Sequence, residues 1–426
     1  MKNKICILVA LLLLLSSCGK KYVYEAKPSE YTGYYNNEFV NSVLSIDEED
    51  LSDLIQGESK WGITAATSLN NGYMIVAHGG PSLYALDSEY AELAGATRAS
   101  DLHVIIFDQY SNILRIDTYP LYTMDFVVEP HIARNNDYIV VSGVGVKDKE
   151  NYVEYSLFYT NDGKFVKETD YVFRANDKIT SIINYFNVDD DTYVAAKEYI
   201  LNGTMNDVGK SYLMKFDKEF NLVFIEEIRG DLKSEEIFSL KGMVINTDDE
   251  IVLVGTKNNF VEEIDGYIYH DWQDVDAMYV KYNLDGKFLS QEIISRPLEA
   301  YNDPDEPRYK VYISSIKQTT VSDNVYYYFV KDQIINLCVI NTKTKENRVY
   351  DINDIDTSFA ELIEFDDMII IRDSSLLALY DKETLELIAE FDFGYMFGRN
   401  YVFNDKLYMI SYRFDVEIYE IEMRKK

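Results

Sequence analysis

The chain has 426 residues, with 73 acidic against 41 basic side chains and a net charge of −32. A hydrophobic content of 47% excludes a disordered acidic chain, and three Cys and seven Pro exclude disulfide-dense and collagen-like classes. An acidic surface repels phosphate backbones, so no nucleic acid partner is expected.

In chain order, residues 1–18 read MKNKICILVALLLLLSSC. Lys2 and Lys4 form a basic start, and the apolar run from Ile5 to Leu15 has 11 residues. A membrane-spanning helix needs ~20 apolar residues, so residues 1–17 read as a signal peptide. Leu15-Ser16-Ser17-Cys18 resembles the lipobox of bacterial lipoprotein signal peptides. The resemblance implies cleavage before Cys18, acylation of Cys18, and a membrane held through that lipid. It implies a bacterial cell envelope, and Gly19 after the Cys favours the outer membrane. Cleavage removes Lys2 and Lys4 and so takes the charge from −32 to −34. It also removes Cys6, leaving Cys338 as the unacylated thiol, expected to be a small buried apolar residue. Residues 18–60 are polar and Tyr-rich and are read as a lipidated tether and lead-in.

From residue 61 to 426 one unit recurs. Its first half is an apolar run, an Asn/Asp-rich turn and a second apolar run. Seven segments fit: 63–79, 131–145, 181–199, 239–257, 314–332, 359–374 and 400–413. Asn and Asp cap their own backbone and tolerate the left-handed conformation, which suits tight hairpins. The second half is also a hairpin, at 102–119, 154–171, 211–228, 276–294, 335–352 and 375–392, with a single strand at 414–423. The runs are 5–8 residues long, rich in Val, Ile, Tyr and Phe, with no long helical pattern between them. Many are apolar on both faces. A four-stranded unit of that kind buries both faces by stacking radially, which predicts an all-β protein, a β-propeller of seven four-stranded blades. Six blades with an appended hairpin is the alternative count. The last blade supplies three strands, so a strand from residues 22–46 is expected to close the ring, at 22–26 or 38–45.

Residues 276–294 and 211–228 resemble the bacterial propeller repeat family in which D-A-x-x-x-K-x-x-x-x-G precedes an outer strand. Residues 251–255 (IVLVG) resemble its preceding strand. Residues 379–384 resemble a quinoprotein-type strand pair but lack its Gly and Trp, so no quinone is implied.

With strands lettered A to D outward from the axis, the A–B and C–D turns are short. Long B–C insertions fall at 80–101, 201–210 and 258–275, and long D–A connections at 120–130 and 296–311. Both sets lie on one face of a propeller, and variable loops on a rigid face carry binding function. The 258–275 insertion holds Phe260, Tyr267, Tyr269, His270 and Trp272, aromatics suited to stacking on sugars or filling interface pockets. Those five residues are the candidate ligand-binding loop.

No metal site is assigned. His270 among Asp271, Asp274 and Asp276 is a poor zinc set. Residues 189–191 and 302–306 offer calcium-type oxygens, but no D-x-[DN]-x-[DN]-G loop occurs. No G-x-S-x-G elbow or phosphate-cradling loop is present, and no catalytic residue is assigned. His78, His103 and His131 sit at or near strands and read as structural. Three roles follow: a module binding a protein or glycan, a carbohydrate hydrolase or lyase with carboxylates at the propeller funnel, or a scaffold of an envelope complex. No cofactor is expected.

Overall fold

The structure, a computed structural model, describes residues 40–46, 61–79, 100–110, 112–121, 126–146, 152–199, 209–233, 236–264, 267–270, 276–295, 313–315, 321–331, 334–352, 361–365, 368–372, 376–392, 398–403, 406–411 and 416–421. After β1 (Val40–Ile46), the first blade is β2 (Trp61–Leu69), β3 (Gly72–Gly79), β4 (Ser100–Asp108) and β5 (Ile113–Leu121). The second is β6 (Phe126–Arg134), β7 (Tyr138–Val146), β8 (Tyr152–Thr160) and β9 (Phe165–Thr169). A short β10 (Arg174–Ala175) leads into the third, β11 (Lys178–Val188), β12 (Asp191–Glu198), β13 (Ser211–Phe216) and β14 (Leu222–Glu227). The fourth is β15 (Glu236–Ile245), β16 (Glu250–Ile264), β17 (Tyr267–His270), β18 (Asp276–Asn283) and β19 (Phe288–Ser295). The fifth is β20 (Ile313–Ser315), β21 (Asn324–Lys331), β22 (Ile334–Asn341) and β23 (Asn347–Ile352). The sixth is β24 (Glu361–Phe365), β25 (Met368–Arg372), β26 (Leu376–Asp381) and β27 (Leu387–Asp392). The seventh is β28 (Gly398–Phe403), β29 (Lys406–Ser411) and β30 (Val416–Ile421).

Each blade is an antiparallel meander, and among the described residues the sheets number seven. The innermost strands β28, β2, β6, β11, β15 and β20 are successive neighbours, so the first blade meets the last. The protein is a seven-bladed β-propeller. The ring closes through β1, which pairs antiparallel with β30 from Val40 opposite Ile421 to Ile46 opposite Val416. Of the two segments that sequence offers for this strand, the 38–45 choice matches. β1 covers the β30 edge and becomes the outer strand of the seventh blade, the place that β5 and β14 hold in theirs.

The core lies between blades. Met74, Val76 and Val104 of the first blade pack with Ile139, Val141 and Tyr155 of the second. Phe158 of the second meets Phe173, Phe216 and Phe220 at the third, with Phe173 and Phe216 edge-on at 5.3 Å between centroids. Tyr326 and Leu337 of the fifth pack with Leu362 and Ile369 of the sixth. This is why middle strands such as β12 and β13 are buried on both sides, while outer strands such as β9 and β14 are exposed. Cys338 is fully buried.

The short turns cap themselves. Asp217 Oδ1 accepts the backbone N–H of Glu219 and Asn221, and Asn283 Oδ1 those of Asp285 and Lys287. Asp108, Asn341 and Asp381 repeat the device. The left-handed residue each tight turn requires is Gly163, Phe220, Gly286, Lys345 or Leu385 in five of these C–D turns. Neighbouring turns also bond each other: Asn70 Nδ2 donates to Asp162 at 2.7 Å, Arg134 to Ser68 Oγ at 2.6 Å, and Thr247 Oγ1 to Asp323 at 2.8 Å. Much of the Asn/Asp content is therefore spent on one face of the ring.

Two connections differ from the sequence reading. The 120–130 connection shrinks to 122–125, because β5 runs on to Leu121 and β6 begins at Phe126. Pro120 is tolerated in β5, an outer edge strand opposite Asp101, where a missing N–H leaves no inner ladder bond unmade. The 258–275 insertion is largely strand, as described next.

Candidate functional site

The strand directions put the A–B and C–D turns on one face and the B–C and D–A connections on the other. The insertions at 80–99 and 296–312 lie outside the described residues, as do Trp272 and Cys18, the residue expected to carry lipid. Within the blade-four insertion, β16 runs for 15 residues. Its pairing with β15 ends at Asn259 and with β18 at Lys257. Beyond that point its partner among the described residues is β17, Phe260 opposite His270 and Ile264 opposite Tyr267. Phe260, Tyr267, Tyr269 and His270 thus share one two-stranded hairpin that overruns the blade on the long-connection face.

The innermost strands carry a repeated irregularity that the sequence reading missed. The ladder shifts between Ile63 and Ala65, between Val128 and His131, between Ile182 and Asn184, and between Leu240 and Gly242. The extra residues Thr64, Pro130, Ile183 and Lys241 stand at the same distance from the A–B turn. Such a bulge re-aims a side chain and is common beside functional sites. Ser211 Oγ, from the preceding blade, clamps the backbone around the fourth-blade bulge, donating to Phe238 O at 2.8 Å and accepting from Leu240 N at 3.1 Å.

Lys241 occupies that bulge. Burial, reinforced by the nearby Lys197 ammonium, pushes its amine down to about 8. Lys197, on β12 of blade three, is lowered by burial and lies 3.4 Å from Ser239 Oγ. Two ammonium groups from adjacent blades therefore share one stretch of the inner wall. The signal for them in the sequence is a Lys inside otherwise apolar runs, VAAKEY and SLKGMVI.

His131 follows the second-blade bulge. Its ring packs against Tyr171 and Phe173 at 5.9 and 5.5 Å between centroids. Burial pushes it down to about 4, and Nδ1 lies 3.3 Å from Glu129 O. Its Nε2 and the Tyr155 hydroxyl are buried without a hydrogen-bond partner among the described residues. His103 Nδ1 meets Thr118 Oγ1 at 3.0 Å in a buried setting, a structural arrangement. His78 lies in β3 opposite Gly62.

Three carboxylates toward this end of the described strands are paired. Glu198 meets Lys178 at 3.9 Å, Glu236 meets Lys257 at 2.6 Å, and Glu154 pairs with Arg174. Of the calcium-type candidates, residues 189–191 form the β11–β12 turn, with Asp189 left-handed and Asp191 held by Lys215 at 2.7 Å. Residues 302–306 lie outside the described residues.

No protein-family model and no curated protein matches the sequence. Among solved structures, BamB from Moraxella catarrhalis is similar at 10% identity and a TM-score of 0.40, over 91% of this chain and 99% of that one. The Dos1 propeller is similar at 12% identity and a TM-score of 0.45, over 86% and 82%. The propeller assignment stands on the strand order and closure described above.

Proposed function

We propose that this chain is a lipid-anchored propeller of a bacterial cell envelope. Acylated Cys18 holds it at the outer membrane, and the ring binds a protein or glycan partner through its long-connection face. One observation carries the reading: the β16–β17 hairpin projects from that face beyond the strands that would support it. A hairpin without its own blade partners leaves aromatic-rich sequence and backbone edges for a second molecule. The engaged carboxylates at Glu154, Glu198 and Glu236 favour binding over glycoside hydrolysis, which needs two carboxyls facing one bond.

The test is capture from envelope extract, together with a glycan array, using the intact ring and a variant whose residues 260–270 are replaced by a two-residue turn. A partner lost only from the variant supports the proposal. Identical capture by both forms rules out the hairpin as the contact element.

A further inference from the structure

We propose that the short-turn face is the membrane-proximal side of the ring, seated on a lipid surface, so that the long-connection face points away from the membrane. The inference rests on the lipid-anchor reading above and adds an orientation to it.

The polarity of the closing strand carries the argument. Ile421, at the end of β30, lies beside Leu407, at the β28–β29 turn end of the blade. Val40 pairs with Ile421, so the chain arriving from Cys18 enters the ring at the short-turn face. It leaves β1 at Ile46, opposite Val416, on the other face. The chain between Cys18 and Val40 spans at most ~75 Å when drawn straight. A nine-residue strand makes the ring ~30 Å deep along the axis. Turning the long-connection face to the membrane would draw that chain past the full depth of the wall.

A second observation lies at the same rim. Each D strand begins at the short-turn face, and in blades one to four and six its first two positions expose apolar side chains: Leu114, Val166, Leu222 and Val223, Leu289 and Leu387; blade five carries Asn347 and Arg348 there instead. Tyr110, at the tip of the β4–β5 turn, is 76% exposed. Further along the D strands of blades two and three the exposed residues turn polar, at Glu168 and Glu226, whereas β19 exposes Ile293. Isolated exposed apolar residues are ordinary, but a repeat at one strand position makes a belt. Tyrosine at the edge of such a belt suits a membrane interface. The exposed charges of the C–D turns are mixed, with Lys164, Lys218 and Lys287 beside Asp162, Glu219 and Asp285, and the A–B turns of the same face add the exposed acids Asp137, Asp189, Asp190, Asp248 and Asp249. That pattern fits a zwitterionic headgroup surface better than an anionic one.

The experiment uses the full lipidated chain in phosphatidylcholine vesicles carrying a headgroup energy-transfer acceptor. A donor dye is placed at Lys164→Cys on the short-turn face or at Lys233→Cys on the long-connection face. Cys338 is buried and stays unlabelled. Transfer from position 164 should exceed that from position 233 by at least about twofold, and the difference should shrink in the Leu222→Ser/Val223→Ser variant. Equal or inverted transfer overturns the orientation. A dimer in light scattering that dissociates in the same double variant also overturns it, by giving the belt to a second copy of this chain. Vesicle retention of a Cys18→Ala chain overturns the anchor reading instead, a result separate from the comparison of the two faces.

Discussion

The Lys281 ammonium lies 2.9 Å from Glu250 across strands of blade four, and 3.3 Å from the Thr342 carbonyl of blade five. Lys281 is the Lys of the D-A-x-x-x-K-x-x-x-x-G pattern, and Lys215 holds the matching place in blade three, bound to Asp191. The repeat Lys therefore ties the C strand to the first residue of the B strand, and in blade four it also ties one blade to the next. Lys281→Met keeps the aliphatic stem and removes the cation beside the Glu250 carboxylate, which keeps Asn246 Nδ2 as a donor at 2.8 Å. Its cost should be about 1–3 kcal/mol, read from chemical denaturation.

Gly72 begins β3 where the backbone of β4 passes closely. A Cβ there would collide with the Phe107 carbonyl oxygen. Gly72→Ala should destabilise the ring by more than about 2 kcal/mol, because backbone and not a pliant side chain must give way. An exposed control, Leu114→Ala, should stay within about 0.5 kcal/mol in the same denaturation series.

His131 is held near 4 when folded, against about 6.5 when unfolded. The unfolded chain binds the extra proton between those values, so stability falls as pH drops from 6.5 toward 4. The slope from one such group reaches about 1.4 kcal/mol per pH unit. Melting followed from pH 7 to 4 should show a shallower loss in His131→Phe than in the wild type. Matching slopes would mean that the ring takes up the proton without cost.

Lys241 works in a different window. Its folded value near 8 lies below the ordinary 10.5, so the unfolded chain binds more protons between the two and stability rises with pH across that range. Below pH 8 the group is charged in both states and its full penalty is present. Lys241→Met should raise the melting temperature at pH 7 and flatten the rise between pH 8 and 10.5.

Leu44 faces Ile418 in the closing ladder. Leu44→Pro removes an N–H and opens the β30 edge, which should cost about 3 kcal/mol and produce concentration-dependent association by light scattering. Leu44→Val should do neither.

The ring was legible in the sequence because its signals are local. Runs of Val, Ile and Tyr, and turns such as Asp217–Asn221 that cap themselves, need no tertiary partner to be read. The closing strand was legible because blade seven lacks a fourth run. The inner-wall site was not, since Lys197 and Lys241 lie far apart in the chain and meet only when blades three and four pack. The bulge at Lys241 leaves no mark on composition. The blade-four insertion read as loop because its acids mask the strand alternation, although Asp265-Gly266 between Ile264 and Tyr267 is a two-residue hairpin signature.

The proposed role turns on which face of the ring meets a partner. Photo-cross-linking in intact cells tests it, with a benzophenone amino acid placed at Tyr269 on the hairpin or at Lys218 on the short-turn face. The account predicts a discrete adduct with a partner from position 269 and none from position 218. An adduct from position 218, with none from 269, would contradict it.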